Sequence, residues 1–94
     1  MALDLNMVVE RNQELIASEV DGEILMLSVE RGKYFALNRT GSRIWQLLQK
    51  PCKVSDLIKM LQKEYAVAEE ICRQDVLQLL AEMQQEKVVS ICGE

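Results

Sequence analysis

The sequence of 94 residues has no histidine, one proline, four glycines, and only one Trp, two Tyr and one Phe. The absence of histidine removes the commonest general base and the commonest metal ligand. The scarcity of proline and glycine argues against a disordered chain. No apolar run is long enough to span a bilayer, and residues 1–12 lack the pattern of a signal peptide. We therefore expect one cytoplasmic domain over residues 1–94, with residues 1–11 flexible or peripheral.

Basic residues are outnumbered by acidic ones, with 11 Lys and Arg against 15 Asp and Glu and a net charge of −4. Nucleic-acid binders need a basic face to neutralise phosphates, so neither DNA nor RNA is an expected partner. The cysteines at 52, 72 and 92 are odd in number and far apart, so they fit neither a disulfide framework nor a CxxC metal site. We interpret them as reduced thiols that act as small apolar side chains.

Alternating apolar residues in the first half of the chain predict three antiparallel strands. Residues 13–20 form the first strand, and Asp21-Gly22 is a strong signal for a two-residue turn. Residues 23–30 form the second strand, and residues 33–37 form the third after the turn Arg31-Gly32. The second strand is apolar on both sides, which predicts cover on part of both faces. Its two faces are Leu25, Leu27 and Val29 on one side and Ile24, Met26 and Ser28 on the other.

After Asn38 the apolar period becomes helical. Asn38 or Thr40 is expected to cap the first helix, and residues 87–92 are compatible with a short final strand or a packed tail. This order of elements predicts a winged-helix-like α+β domain, in which a three-stranded antiparallel sheet is followed by three helices. The helices are expected over about 40–49, 54–65 and 69–85.

No constellation of catalytic residues is present. Thr40-Gly41-Ser42 is too short for a P-loop, and no serine lies in a nucleophile-elbow pattern. An enzyme would depend on a cysteine without a histidine partner. We therefore expect no catalysis, no metal and no cofactor. A three-stranded sheet has two edges, and proteins either protect such an edge or use it for binding. If the third strand is an edge, Tyr34 and Phe35 become candidates for contact with a guest chain.

Two consecutive segments resemble the PqqD family: Gly32-Lys-Tyr-Phe-Ala-Leu-Asn38, and Thr40-Gly-Ser-Arg-Ile-Trp45-Gln-Leu-Leu48. The family pattern is a turn glycine, an aromatic strand that ends in Leu-Asn, and then Gly-x-x-Ile-Trp-x-Leu-Leu. Ala68 departs from the usual Asp or Ser cap, and Lys87 replaces a frequent Gly. Weaker matches extend the resemblance over about residues 12–90, at Leu57, Leu61, Tyr65, Val67, Asp75, Val76, Leu80 and Met83.

The resemblance implies a recognition element for ribosomally synthesised and post-translationally modified peptides. Members of the family bind the leader segment of a precursor peptide. The leader adds as an extra strand to the third strand and lies in the groove between that strand and the third helix. The residues that the resemblance and the apolar pattern nominate for leader binding are Tyr34, Phe35, Ala36, Leu37, Asp75, Val76, Leu79, Met83, Leu25 and Leu27.

The size of the chain is most similar to the stand-alone leader-binding protein of lasso-peptide biosynthesis. The resemblance then implies a leader peptide, a leader peptidase and a macrocyclase as partners, with no nucleic acid and no membrane. The alternatives are a stand-alone PqqD-type chaperone for pyrroloquinoline quinone synthesis and, more remotely, a winged-helix DNA-binding regulator. Arg73 is the one basic residue within the third helix, which disfavours the regulator. The open edge leaves both a monomer and an edge-strand dimer as expectations.

Overall fold

The computed structural model describes residues 3–92, so the ends of the expected domain 1–94 lie outside the described residues. The predicted α+β class is confirmed: a three-stranded antiparallel sheet precedes three helices, and a second small sheet accompanies it. The elements are β1 (Val8–Arg11), β2 (Leu15–Val20), β3 (Glu23–Ser28), β4 (Lys33–Ala36), α1 (Arg39–Leu47), β5 (Cys52–Lys53), α2 (Val54–Tyr65), α3 (Glu69–Gln85) and β6 (Val89–Ile91).

The larger sheet has the order β2-β3-β4 and is antiparallel throughout. Asp21 and Gly22 have φ angles of 52° and 82°, the left-handed conformation that a two-residue hairpin turn requires. The central strand β3 buries Ile24, Met26 and Ser28 on its inner face. The outer face was also expected to be partly covered. On that face Leu25 is 42% exposed and Leu27 is half-buried, so only Leu27 is covered in part.

The smaller sheet has the order β5-β1-β6, with β1 in its centre. Val9 pairs with both Cys52 and Ile91 and is fully buried. The expectation that residues 1–11 are flexible or peripheral is therefore wrong for β1, and residues 1–2 lie outside the described part. The strand is short and its two partners are distant in sequence, so no local pattern indicates it.

Arg11, at the end of β1, joins the smaller sheet to α1. Its Nε donates a hydrogen bond to the backbone oxygen of Trp45 at 2.8 Å, and its guanidinium carbon lies 4.6 Å from the centre of the Trp45 ring. A cation at this place complements the negative end of the helix and the face of the indole. The contact fixes the end of the helix against β1.

One apolar core joins both sheets to the three helices. The longest helix, α3, contributes Cys72, Val76, Leu80 and Met83, whose spacing places them on one face. No helix within residues 3–92 combines the length and the apolar character that a membrane crossing needs. The buried apolar residues are Val9, Ile24, Met26, Ile44, Trp45, Leu48, Val54, Leu57, Ile58, Leu61, Cys72, Val76, Leu80, Met83, Val88 and Val89.

The junction between β4 and α1 is held by two side chains. Asn38 is the N-cap, and its side-chain oxygen accepts a hydrogen bond from the Gly41 N–H at 2.7 Å. The buried Ser42 hydroxyl accepts from the Ile24 N–H at 2.9 Å and donates to the Leu37 backbone oxygen at 3.1 Å. The hydroxyl thus bridges the end of the β3–β4 ladder and helps to orient the groove wall that β4 forms.

Ser42→Ala is expected to lower the free energy of unfolding by about 1–3 kcal/mol, because it leaves the buried Ile24 N–H without its acceptor. Urea denaturation would measure the change. Ser18→Ala is the matched control, since Ser18 lies exposed on β2. Equal stability of the two variants would show that the Ser42 bridge does not hold the junction.

Candidate functional site

The free edge of β4 is the first component of the candidate site. The Leu37 N–H donates to the Ile24 backbone oxygen at 2.9 Å, and Phe35 is paired with Met26. Hydrogen bonding alternates along an antiparallel strand, so the N–H and C=O groups of Tyr34 and Ala36 point away from β3. No strand within residues 3–92 pairs with that side of β4. The edge therefore offers two donors and two acceptors to an incoming strand.

A groove between β4 and α3 is the second component. It has a volume of about 280 Å³, and its walls are largely apolar. Phe35 and Leu37 project from the inner face of β4, and Leu79 on α3 is likewise half-buried. The groove is lined by Phe35, Ala36, Leu37, Asn38, Leu79, Glu82, Met83, Glu86 and Val88.

The groove continues past the end of β4 along α3. The next section, which we call the acidic section, has a volume of about 300 Å³ and is lined by Asn38, Thr40, Asp75, Gln78, Leu79 and Glu82. It shares residues with the first groove on one side and with a third, apolar section of about 300 Å³ on the other. The third section is lined by Thr40, Leu61, Tyr65, Val67, Cys72, Asp75 and Val76.

The three connected sections form one trough along α3. Seven of the ten residues nominated from sequence line this trough, and three do not. The side chains of Leu25, Leu27 and Tyr34 share the outer face of the sheet, away from Phe35, because they alternate with the inner row. The buried inner face of β3 is formed instead by Ile24 and Met26. Tyr34 is 82% exposed, yet its backbone still lies at the free edge. The seven lining residues are Phe35, Ala36, Leu37, Asp75, Val76, Leu79 and Met83.

Sequence reasoning missed Glu86, Asn38 and Val88 as lining residues. Glu86 lies seven positions after Leu79, a spacing of about two helical turns that places it near the same helix face and could have identified it. Val88 follows the helix, and Asn38 was assigned a capping role only. No helical period places either of them at the groove.

The end of the groove near the start of β4 is closed by an ion pair. Arg31 Nη1 lies 3.2 Å from Glu86 Oε2 and also donates to the Glu86 backbone oxygen at 3.1 Å. The Arg31 guanidinium carbon lies 6.0 Å from the centre of the Phe35 ring. This contact joins the β3–β4 turn to the end of α3, and both groups are exposed, so its contribution to stability is small.

The three thiols do not resemble activated nucleophiles. Burial raises the pKa of Cys52 and of Cys72 above the ordinary value. The hydrogen bond from the Cys92 thiol to the Glu10 carboxylate, 2.6 Å long, raises the pKa of Cys92 as well. A catalytic cysteine needs the opposite shift. In the described part of the chain, His, Cys, Asp and Glu form no group of three suited to hold a metal ion.

Two solved structures share this fold. One is described as TbiB1 in complex with the TbiA(beta) leader peptide; it is 24% identical, has a TM-score of 0.79, and aligns over 90% of this chain and 96% of its own. The other is described as lasso peptide synthetase B1 complexed with the leader peptide; it is 21% identical, has a TM-score of 0.70, and aligns over 87% and 96%. No curated protein shows a significant match to the chain.

The sequence profile described as "Coenzyme PQQ synthesis protein D (PqqD)" matches residues 23–89. The matched range runs from the start of β3 to the start of β6 and contains both walls of the groove. It covers well over half of the chain, so the match does not rest on the aromatic strand alone. The chain is therefore a member of the PqqD family.

Proposed function

We propose that this protein binds the leader segment of a ribosomally made precursor peptide by β-strand addition to β4. The bound leader would lie in the groove against α3 and be delivered to a leader peptidase and a macrocyclase of a lasso-peptide pathway. The domain itself would perform no reaction. The observation that carries the proposal is the free edge of β4 directly beside an apolar groove.

The energetics require both components of the site. The four free backbone groups of Tyr34 and Ala36 can form four hydrogen bonds, worth about 2–6 kcal/mol in total. Association costs an estimated 4–15 kcal/mol in lost freedom, so the edge alone would give at best about 2 kcal/mol of net binding, which is weaker than millimolar affinity. Apolar side chains in the groove would add about 1.5–3 kcal/mol each on full burial. The expected ligand is thus an extended segment with apolar anchors on the side that faces α3.

The solved neighbours support a leader peptide as this ligand, because both are described as complexes with one. They favour the lasso-peptide pathway as the context, and the peptidase and macrocyclase are part of that proposal. The family description favours the second candidate, a stand-alone chaperone for pyrroloquinoline quinone synthesis. We propose the cytoplasm as the place of binding, since the precursor is made on ribosomes and the three cysteines are free.

Titration with candidate leaders tests the proposal. Short reading frames that flank the coding sequence supply the candidates, and fluorescence anisotropy would measure binding of their synthetic N-terminal and C-terminal halves. We expect saturable binding of one N-terminal half and none of its C-terminal half. Neighbouring genes for a transglutaminase-like peptidase and an asparagine-synthetase-like cyclase would favour the lasso pathway. Failure of every candidate to bind would contradict leader recognition.

A further inference from the structure

Charge is distributed unevenly along the trough. Its three sections contain the carboxylates of Asp75, Glu82 and Glu86, and no Lys or Arg lines any of them. Glu86 is paired with Arg31 at the end near the start of β4. Lys33, the first residue of β4, adds a second positive charge near that end. Negative charge is therefore concentrated in the acidic section, past the other end of β4.

Asp75 and Glu82 have no ion-pair partner within residues 3–92, where the salt bridges are Arg31–Glu86 and Arg43–Glu64. Neither has a basic residue three or four positions away on α3, where helical ion pairs form. Both side chains are exposed, and they lie about two helical turns apart. Two uncompensated carboxylates thus flank the acidic section, and the other residues that line this section are uncharged.

An extended guest paired with β4 must cross this section if it continues past Ala36 along α3. A neutral or acidic guest side chain would leave both carboxylates uncompensated there. A Lys or Arg side chain would offset this negative charge, because its apolar stem can lie on Leu79 while the charged end lies near one or both carboxylates. Charge complementarity therefore favours a basic side chain at the one position of the guest peptide that crosses the acidic section.

We propose that Asp75 and Glu82 select peptides with a Lys or Arg side chain at the position that follows the segment paired with β4. This inference rests on the proposed function and specifies the class of peptide that the site accepts. The pair also sets the register, since sliding the guest by one residue turns the basic side chain to the opposite side of the strand.

Selection from a phage-displayed library of random peptides tests the inference without knowledge of the natural leader. The wild-type protein should enrich peptides with Lys or Arg at one fixed position relative to their apolar anchors. The variant Asp75→Asn with Glu82→Gln should lose that enrichment, and Asp75→Lys with Glu82→Lys should enrich Asp or Glu instead. For a selected peptide made with an acetylated N-terminus, replacing the basic residue by Gln should weaken wild-type binding about two- to fivefold for each carboxylate engaged.

The matched control is Glu69→Gln with Glu70→Gln, which removes two exposed charges from the same helix outside the trough. It should retain the wild-type preference. The inference would be overturned if the selected peptides depend on the β4 edge but show no preference for Lys or Arg. It would also be overturned if the charge-reversed variant still selects Lys or Arg. Either result would leave the proposed function intact. A selection that yields no peptide dependent on the β4 edge would overturn both.

Discussion

Replacement of Ala36 by proline is expected to weaken leader binding by at least about tenfold and, if the ring also obstructs the guest strand, to abolish it. Proline removes the Ala36 N–H, which is one of the two donors at the free edge. The carbonyl of the guest opposite that position would then be desolvated without a partner. The β3–β4 ladder should survive, because the bond from the Leu37 N–H to Ile24 and the pairing of Phe35 do not use the Ala36 donor.

Ala17→Pro is the matched control for this experiment. Ala17 lies on β2 opposite Met26, and the alternation of the ladder directs its N–H to the other free edge of the same sheet. Both variants place proline in place of an exposed alanine at a sheet edge. Anisotropy would give the affinities and circular dichroism the folded fraction. A folded Ala36→Pro protein with wild-type affinity would contradict strand addition at β4.

Truncations of the neighbouring residues Leu79 and Leu80 should have opposite consequences. Leu80 is fully buried in the core, so Leu80→Ala is expected to lower the free energy of unfolding by about 2–5 kcal/mol. Leu79 is half-buried and lines the groove, so Leu79→Ala should destabilise the fold less than that range. Its main effect should be weaker leader binding, because a wall of the groove is lost.

Urea denaturation and anisotropy on both variants would separate the two roles. We expect the affinity of folded Leu80→Ala to stay close to that of the wild type. A larger loss of stability in Leu79→Ala than in Leu80→Ala would mean that Leu79 belongs to the core rather than to the groove. Unchanged leader affinity in Leu79→Ala would remove α3 from the binding site.

Local patterns were sufficient to predict much of this fold. The turn at Asp21-Gly22 and the alternation around it defined the hairpin, and the apolar period placed α3 at residues 69–85, as observed. For the smaller sheet, the pattern of residues 87–92 left a short final strand as one alternative, which is observed as β6, but local patterns indicated neither β1 nor β5. Its strands β1, β5 and β6 are two to four residues long, and their pairing joins parts of the chain more than thirty-five residues apart.

The candidate site was predicted in part, for a physical reason that β3 illustrates. Both faces of this strand are apolar, so its alternation shows which residues share a face but not which face is buried. Ile24 and Met26 lie inside, while Leu25 and Leu27 lie on the outer face. Which face of β3 is buried depends on where α1 and α3 pack, and this packing is a property of the tertiary structure. The acidic lining of the trough depends in the same way on the orientation of α3.

Hydrogen exchange at the edge of β4 tests the central claim most directly. Amide protons of Tyr34 and Ala36 should exchange rapidly in the free protein, since they point to solvent at an unpaired edge. On saturation with the leader segment, their exchange should slow by at least about tenfold, while Ala17 and Glu19 on the opposite edge remain unchanged. Saturated binding with unaltered exchange at Tyr34 and Ala36 would show that the peptide does not pair with β4.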